Sequence, residues 1–258
     1  MAEIKVLLVQ MTPVKGEKRQ NLDKIKKMID SSNERDLDLV VLPEFFNTGI
    51  GNDVFRDGAE IEDSSETIDF LSKIAIEYNT NLVTGTISEK DGDNIYNTSY
   101  FIDRNGKVLG KYRKRHLFNY YGGNEGECFT PGEEIVVLNT DIGKVGMSIC
   151  FDIRFPLQFN KLMKMGAELI VCPAAWAYDW LHTWEICNQS IALQNLAYFI
   201  GCTGCGEAGY QLAGNSMIVG PTGKIISRLD KHESVLVEKI DLSRVQELRS
   251  AFPIMNLE

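Results

Sequence analysis

The stretch "LDLVVLP", from Leu37 to Pro43, decides the fold class. Its apolar residues run without polar alternation and end at a proline, a pattern typical of a strand buried on both faces. Just before it, "NLDKIKKMI" (residues 21–29) repeats apolar residues at the spacing of one helix face. A strand covered on both faces needs a helix on one side and a second layer on the other. The stretch therefore predicts a layered α/β fold.

Short apolar runs and helical patterns alternate along the whole chain, and no linker or internal repeat divides them. The predicted strands are "EIKVLLVQM", "NLVTGTIS", "ELIVCP", "YFIGCTG" and two closing strands around "GPTGK". The predicted helices cover about Ser65 to Tyr78, "LQFNKLMKMG" with Gly166 at its C-terminal cap, about Leu181 to Ala197, and "DLSRVQELRS" with Asp241 as N-cap. We expect one domain over residues 1–258, folded as a four-layer α-β-β-α sandwich with two mixed sheets.

The middle of the chain has an antiparallel character. "NTSYFIDRNGKVLGKYRK" contains two strand patterns joined by Asn105-Gly106. Both residues tolerate positive φ, so the pair suits a type I′ hairpin turn. "IVVLNTDIGKVGMSI" repeats the arrangement, and we expect a second hairpin there.

Charge and cysteine content narrow the classes of function. The 258-residue chain has a formal net charge of −9 at pH 7, and no basic run exceeds "KYRKRH", which disfavours a nucleic-acid partner. Its apolar runs are far shorter than the ~18 residues that cross a bilayer, so no membrane partner is expected. "MAEIKVLLVQM" has the features of a first strand rather than of a signal peptide. Six scattered cysteines do not suggest a disulfide framework, and we expect a cytoplasmic protein.

Three chemically active side chains each stand where a predicted strand ends and a turn begins. They are Glu44 in "LPEFFNTG", Lys114 in "KYRKRHLF" and Cys150 in "SICFDIRFP". Active sites of α/β proteins collect at the carboxyl ends of strands, because the loops there converge on one crevice. We therefore expect the three residues to meet.

Together the three residues would form a nucleophilic site. A thiol attacks well only as a thiolate or beside a base, and Glu44 could take the proton from Cys150 and return it to a leaving amine. Lys114 would stabilise the oxyanion of a tetrahedral intermediate, with the backbone N–H after Cys150 as a second donor. A helix pattern follows Cys150, and a helix N-terminus would favour its thiolate.

Four blocks resemble the signature blocks of the nitrilase superfamily of carbon–nitrogen hydrolases: "LPEFFNTG", "YRKRHLF", "ICFDIRFP" and "TWEICNQSIALQNLAYFIGC". The resemblance runs from the first strand to the final helix, with the three catalytic blocks in the expected order. It implies that the Glu-Lys-Cys triad of the family falls on Glu44, Lys114 and Cys150, and that the sandwich is of the nitrilase type.

The resemblance also implies a second catalytic glutamate ahead of an aromatic-x-Pro-Gly turn. Here "NEGECFTPGE" offers Glu125 and Glu127. Glu125 stands four residues before Phe129, which matches the usual placement in the family, and Glu127 is the alternative.

Members of the family usually pair through helices, so the resemblance implies a homodimer or a larger homo-oligomer. They often continue past the Phe252-Pro253 segment into a basic, tyrosine-containing tail, whereas this sequence stops at "FPIMNLE". A truncated sequence and a short tail both remain open. Because that tail often helps to pair subunits, its absence bears on the expected dimer.

Further residues are candidates for contact with a substrate. They are Phe151, Arg154, Trp176 and Tyr120, with Tyr121 beside the last. Arg154 either pairs with Asp152 and shapes the loop, or binds a substrate carboxylate through two N–H groups. Trp176 either lines the pocket or packs at its rim. Glu185, in "TWE", is expected to order the surroundings of the site rather than to touch substrate.

Several of these residues also have interpretations other than catalysis by this triad. Alone, Cys150 would be taken as an inert buried thiol, Glu44 as a turn cap and Lys114 as part of a solvated strand, but the three blocks together favour catalysis. Cys202-x-x-Cys205 has the spacing of a zinc or redox pair, yet no second pair exists, so strand-end packing is favoured and no metal is expected. A papain-like enzyme with His116 as base lacks the expected downstream context.

The sequence therefore predicts an amidohydrolase that acts on a small linear amide through a cysteine thioester and needs no cofactor. Within the superfamily, "CFDIRF" and "PEFFNTG" look closest to the ω-amidase-like branch, and Arg154 would suit a carboxylate-bearing substrate. Hydrolysis of an N-carbamoyl amine or of a nitrile by the same triad is the alternative. A catalytically silent binding subunit that kept the fold is the alternative from another class.

Overall fold

The computed structural model describes residues 3–254, so the end of "FPIMNLE" lies outside the described residues. Within that range the strands are β1 Glu3–Gln10, β2 Leu39–Val41, β3 Asn81–Val83, β4 Ile87–Asp91, β5 Asn94–Ile102, β6 Val108–Arg113, β7 Val137–Thr140, β8 Gly143–Met147, β9 Leu169–Ala174, β10 Tyr198–Thr203, β11 Cys205–Glu207, β12 Gln211–Ala213, β13 Met217–Val219, β14 Ile225–Arg228 and β15 Ser234–Asp241. The helices are α1 Lys18–Ser31, α2 Asn52–Asp57, α3 Glu66–Tyr78, α4 Pro156–Lys164, α5 Leu181–Asn195 and α6 Ser243–Ala251.

Two large sheets organise these strands. The first has the order β15-β1-β2-β3-β5-β4, with β6 paired to the other edge of β5. Its strands β1, β2 and β3 are parallel, and β15 and β5 join them antiparallel. The second has the order β14-β13-β10-β9-β8-β7, with β8, β9 and β10 parallel and antiparallel strands at both edges. Both sheets are therefore mixed, as predicted.

The two sheets pack face to face between helices. On the first sheet, Leu7 and Val40 face α1 and α3, whereas Leu8 and Val41 point to the opposite side and join the cluster shared with the second sheet. This alternation is the period-two pattern of strands that are buried on both faces. Helices α4 and α5 cover the far face of the second sheet. The layers thus have the predicted α-β-β-α order.

The prediction of "NLVTGTIS" as one strand is wrong. The segment is divided into β3 and β4 by residues 84–86, where Gly85 has a φ of 68°. A Cβ on Gly85 would lie 2.1 Å from the carbonyl oxygen of Pro43, so only glycine allows this approach. Next to it, Thr86 Oγ1 accepts a hydrogen bond from the backbone N–H of Phe45 at 3.0 Å. The break therefore holds the loop that follows β2.

The predicted type I′ turn at Asn105-Gly106 is also wrong, although the hairpin β5–β6 forms. Of the two residues only Gly106 has a positive φ, 77°, whereas a type I′ turn needs two. The carboxylate of Asp103 organises the turn instead, because its Oδ1 accepts from the backbone N–H groups of Asn105 and Lys107, each at 2.9 Å.

Two helix ends differ slightly from the sequence prediction. Helix α6 begins at Ser243 with Leu242 as its cap residue, so the predicted N-cap, Asp241, stands one position too early. Its Oδ1 still accepts from the backbone N–H of Ser243 at 3.0 Å. Helix α5 ends two residues early, at Asn195, because Leu196 adopts the left-handed conformation. None of the helices between residues 3 and 254 is long and apolar enough to cross a membrane.

The close approach at Gly85 leads to a stability prediction. Gly85 and Gly92 both have positive φ, 68° and 59°, but a Cβ on Gly92 would meet no atom within 4 Å. Left-handed strain alone costs about 1–2 kcal/mol, which is the expected loss for Gly92→Ala. Gly85→Ala adds the clash with Pro43 and should lower the free energy of unfolding by clearly more. Urea denaturation of both variants measures the difference, and equal losses would contradict the steric account.

Candidate active site

The three predicted strand ends meet at one cavity. Glu44 follows β2, Lys114 follows β6 and Cys150 follows β8. All three line a cavity of about 1110 Å³, together with Glu125. The carboxyl ends of β2 and β8 belong to different sheets, so the cavity lies where the two halves of the sandwich join.

Main-chain contacts across the sandwich hold Glu44 in place. Its backbone N–H donates to the carbonyl of Ala174 at 3.3 Å, and the N–H of Ala175 donates to Glu44 Oε2 at 2.8 Å. Ala174 ends β9 of the second sheet, so these two bonds join the sheets at the site. The next residue, Phe45, has a φ of 56°, which turns the chain sharply after Glu44.

Lys114 is a buried ammonium held between two carboxylates. Its side chain is 1% exposed, and its Nζ donates to Glu44 Oε1 at 2.9 Å and to Glu125 Oε1 at 2.7 Å. Burial alone would lower the pKa of Lys114, but the charges of Glu125 and Glu44 outweigh it and raise that pKa well above its ordinary value. The ammonium has three N–H groups, so one remains for a further acceptor.

Of the two candidate glutamates, Glu125 lies in the cavity and Glu127 does not. The second oxygen of Glu125 accepts from the backbone N–H of Phe118 at 2.7 Å. Burial and then the charge of Glu44 raise the pKa of Glu125, against the opposing effect of Lys114. Glu127 instead accepts from Asn52 at 3.2 Å on the exposed side of the turn.

Cys150 occupies a strained turn at the end of the β8 segment. Its φ is 45°, unusual for a residue with a side chain, and it opens the 3₁₀ turn Cys150–Arg154. Burial and then the charge of Glu44 raise the pKa of this thiol well above its ordinary value. The expected thiolate stabilisation by a helix N-terminus is therefore wrong, since α4 begins only at Pro156. The raised pKa favours a protonated resting thiol, which needs a base before it can attack.

The buried carboxylate of Asp152 shapes this turn. Its Oδ2 accepts from the backbone N–H of Ile149 at 2.9 Å and from the hydroxyl of Tyr112 at 2.6 Å. Its Oδ1 lies 2.7 Å from Nδ1 of His116, whose ring stacks on Phe155. Asp152 thus takes the loop-shaping role, without Arg154. His116 does not line the cavity, so the papain-like alternative has no base at the thiol.

Arg154 lines the cavity without an ion-pair partner among residues 3–254. Its guanidinium lies 5.8 Å from the ring centre of Trp176 and 5.6 Å from that of Trp180. Trp176 is 6% exposed, and its Nε1 donates to the carbonyl of Trp180 at 2.8 Å. An arginine flanked by aromatic faces and free of carboxylates can bind an anion from the cavity.

The remaining aromatic candidates also line the cavity. The rings of Tyr120 and Phe151 lie 5.9 Å apart, and Tyr121 contacts Trp180 with a centroid distance of 5.4 Å. Tyr120 and Tyr121 are largely exposed, whereas Phe151 is half-buried. These side chains form one outer wall of the cavity.

Several cavity residues were not predicted from the sequence. Trp180, Asn124, Asp179 and Tyr210 line the cavity, and Asn97 contacts Glu44 from within the first sheet. The second tryptophan of "CPAAWAYDW" was a signal for Trp180. Tyr210, whose hydroxyl donates to the carbonyl of Ala175 at 2.7 Å, follows a glycine in a loop and gave no signal.

Other predicted features lie elsewhere. Cys202 and Cys205 are buried free thiols, and Cys202 Sγ lies 3.3 Å from the carbonyls of Val9 and Val41. No group of three or more His, Cys, Asp and Glu side chains between residues 3 and 254 could hold a metal ion. Glu185 pairs with Arg228 on β14 and does not line the cavity.

Removing the Lys114 ammonium should show how much the burial of its two carboxylate partners destabilises the fold. Lys114→Met leaves Glu44 and Glu125 buried without a cation, and we expect a loss of about 3–5 kcal/mol in the free energy of unfolding at neutral pH. Burial already raises the pKa of Glu125 in the folded state, and without the ammonium its charge no longer opposes that rise. Stability is then lost as pH rises from the unfolded pKa through the folded one, so the deficit should shrink on acidification.

Urea denaturation at about pH 5 and about pH 8 measures this dependence. Lys111→Met is the matched control, because its buried partner Glu89 keeps Arg113 at 2.6 Å. A deficit for Lys114→Met that matched the control, or that did not change with pH, would contradict the account.

The raised pKa of the Cys150 thiol is also testable. At about pH 7 to about pH 8.5 the thiolate absorbance of the wild type should equal that of Cys150→Ala, because Cys150 keeps its proton in that range. Subtracting the two spectra removes the other five cysteines. A thiolate signal in the difference at neutral pH would show that the resting nucleophile is ionised.

Comparison with known proteins identifies the family. A model of the carbon-nitrogen hydrolase family matches residues 5–250. Omega-amidase NIT3 of Saccharomyces cerevisiae is 34% identical over 268 residues, covering 98% of this chain and 92% of its own. Omega-amidase NIT2 of Xenopus tropicalis is 34% identical over 265 residues, covering 98% and 94%.

Solved structures agree with the sequence relatives. The crystal structure of Saccharomyces cerevisiae Nit3, a member of branch 10 of the nitrilase superfamily, matches with a TM-score of 0.90 at 33% identity, covering 98% of this chain and 95% of that one. A mutant amidase from Nesterenkonia sp., with acrylamide added at its active-site cysteine, matches with a TM-score of 0.84 at 26% identity, covering 97% and 98%. The chain belongs to the carbon-nitrogen hydrolase family of the nitrilase superfamily.

Proposed function

We propose that the protein is an amidohydrolase that converts a small linear amide bearing a distal carboxylate into the free acid and ammonia. One observation carries the proposal: a cavity whose floor holds Cys150, Glu44 and Lys114 also has an arginine, Arg154, with no carboxylate partner among the described residues. The names of the two omega-amidase relatives support the same substrate class.

In the acylation step the sulfur of Cys150 attacks the amide carbonyl while Glu44 takes its proton. The carbonyl oxygen becomes an oxyanion, which receives the third N–H of Lys114 and the backbone N–H of Phe151. The first N–H groups of a helical turn lack partners within the turn, so that of Phe151 is free to donate. When the intermediate collapses, the C–N bond breaks and ammonia leaves with the proton from Glu44, giving a thioester on Cys150.

In the deacylation step water replaces the amine. Glu44 takes a proton from the water as its oxygen attacks the thioester, and the same two donors bind the second oxyanion. The C–S bond breaks, Cys150 regains the proton and the carboxylic acid leaves. We assign Glu125 to hold Lys114 in place, since one of its oxygens accepts from Lys114 and the other from Phe118.

We assign Arg154 to the distal carboxylate of the substrate, with Trp176, Tyr120 and Phe151 as the surrounding wall. A guanidinium binds a carboxylate through two parallel N–H bonds, which fixes the substrate at the end remote from its amide. Holding both ends of a linear molecule orients the carbonyl toward the thiol, and such positioning lowers the barrier to attack.

We further infer that residues 1–258 form one catalytic domain that works as a homodimer in the cytoplasm. The family match over residues 5–250 supports the single domain. The exposed apolar side chains of Ile186 and Leu193 on α5 support pairing through helices. Six free cysteines suit a reducing compartment.

A panel of ω-amides, uncharged amides, N-carbamoyl amines and nitriles, assayed for ammonia release, tests the function. We expect turnover of ω-amides by the wild type and none by Cys150→Ala. Turnover confined to carbamoyl amines or nitriles would reassign the substrate. Folded protein that released ammonia from none of them would favour a silent binding subunit.

Arg154→Ala tests the substrate contact. A charge-assisted hydrogen-bonded pair contributes about 1.5–3 kcal/mol, so kcat/KM for carboxylate-bearing amides should fall about 10- to 100-fold, mainly through KM. Activity on an uncharged amide should change little. Arg115→Ala is the matched control, because Arg115 bonds to Gln158 and does not line the cavity. An equal loss on charged and uncharged amides would contradict the assignment.

A further inference from the structure

Asn97 is a fully buried residue in the middle of β5 that touches two of the site residues at once. Its side-chain Nδ2 donates to Glu44 Oε1 at 2.8 Å. Its backbone carbonyl accepts from the backbone N–H of Lys114 at 2.8 Å. The same Glu44 oxygen also accepts from Lys114 Nζ at 2.9 Å. Asn97 therefore links the position of the Glu44 carboxylate to that of the segment carrying Lys114.

With Asn97 included, the Glu44 carboxylate has three donors from three separate places. Asn97 on β5 and Lys114 after β6 donate to Oε1, and Ala175 after β9 donates to Oε2. A carboxylate bound at both oxygens cannot rotate about its last bond without losing a hydrogen bond. Asn97 is the one neutral side chain in this set, so it constrains the carboxylate without adding charge.

The orientation of the Asn97 side-chain amide also suits a carboxylate acceptor. Its Oδ1 is buried and has no hydrogen-bond partner among the described residues. The reversed orientation would bring Oδ1 against Glu44 Oε1, a contact between two acceptors unless Glu44 carried a proton. The amide thus offers its donor end to the carboxylate of Glu44, the proposed acceptor of the Cys150 proton.

We propose that Asn97 is a positioning residue for the acid–base step: it fixes the carboxylate of Glu44 and the segment carrying Lys114 in the single geometry that serves proton transfer to and from Cys150. This inference rests on the proposed hydrolase function. It concerns the proton-transfer step and not the binding of the distal carboxylate. Asn97 acts through Glu44 and touches no reacting atom.

The adjacent residue on β5 provides a matched control. Thr98 points to the opposite side of the strand, where its Oγ1 donates to the buried carboxylate of Glu89 at 2.7 Å. Glu89 is also bound by Lys111 and Arg113, and none of these residues lines the cavity. Thr98→Val therefore removes one buried hydrogen bond to a carboxylate from the same strand, at a place away from the chemistry.

The test measures the rate at which iodoacetamide alkylates Cys150, followed by mass spectrometry of the modified peptide across a pH series. Alkylation needs the base but no substrate turnover. Asn97→Leu, similar in size but without a donor, should slow alkylation about 10- to 100-fold near neutral pH, because the base is no longer held in line. Its kcat on an amide should fall similarly, with a smaller change in KM.

Asn97→Asp gives a second signature. It adds a like charge beside Glu44, which disfavours the ionised form of the carboxylates, so the acid limb of the alkylation profile should move to higher pH by about one unit or more. Thr98→Val should lose thermal stability as Asn97→Leu does, while its alkylation rate and pH profile stay at those of the wild type.

Unchanged alkylation rates and pH profiles in both Asn97 variants, with only a fall in thermal stability, would overturn the proposal and leave Asn97 a structural residue. If Asn97→Leu does not fold, Asn97→Ala provides the same comparison. A wild type that alkylates rapidly at Cys150 but hydrolyses no amide would defeat the proposed function, and the alkylation profiles would still decide the role of Asn97.

Discussion

The buried ammonium of Lys114 is the interaction on which the rest of the site depends. Two carboxylates, Glu44 and Glu125, lie within hydrogen-bond distance of it, at 2.9 and 2.7 Å, in a part of the molecule that water hardly reaches. Without this cation the two carboxylates would be buried with no counter-charge, and burying an unpaired charge costs several kcal/mol. The single cation therefore serves as counter-charge to both carboxylates, and in the proposed mechanism it also donates to the oxyanion.

One cation between two carboxylates leaves the cluster short of one positive charge. Burial raises the pKa of Glu125, and the charge of the neighbouring Glu44 raises it further, against the opposing effect of Lys114. Burial, and then the charge of Glu44, likewise raise the pKa of the Cys150 thiol, which favours its protonated form. In the proposed mechanism, the negative charge moves from Glu44 to the oxyanion beside Lys114 when the Cys150 proton passes to Glu44. The net charge of the cluster stays the same, but the negative charge then lies on an oxygen to which Lys114 and the backbone N–H of Phe151 donate.

The sequence predicts the main site residues better than it predicts the strand breaks and strand faces around them. Glu44, Lys114 and Cys150 could be identified because each follows a predicted strand, in a block that resembles a signature of the family. Ends of strands in layered folds lie close together. The break at Gly85 could not be identified, since "NLVTGTIS" has the composition of one strand and the reason for the break is the Pro43 carbonyl, a contact distant in sequence. Asn97 looked like an ordinary polar residue of an alternating strand. Its role depends on which face of β5 points to the cavity, and that is set by pairing with β4 and β6.

The hairpin β5–β6 separates two charge clusters by the alternation of its strands. On one side, Asn97 and Lys114 contact Glu44 at the cavity. On the other, Thr98 and Arg113 contact Glu89, a carboxylate that is 2% exposed and surrounded by cations. Because the side-chain period of a strand is two residues, a shift of one residue in the β5 register would exchange these faces and put Thr98 where Asn97 stands. The fully paired Glu89 cluster penalises such a shift, so an interaction outside the cavity fixes the positions of Asn97 and Lys114 beside Glu44.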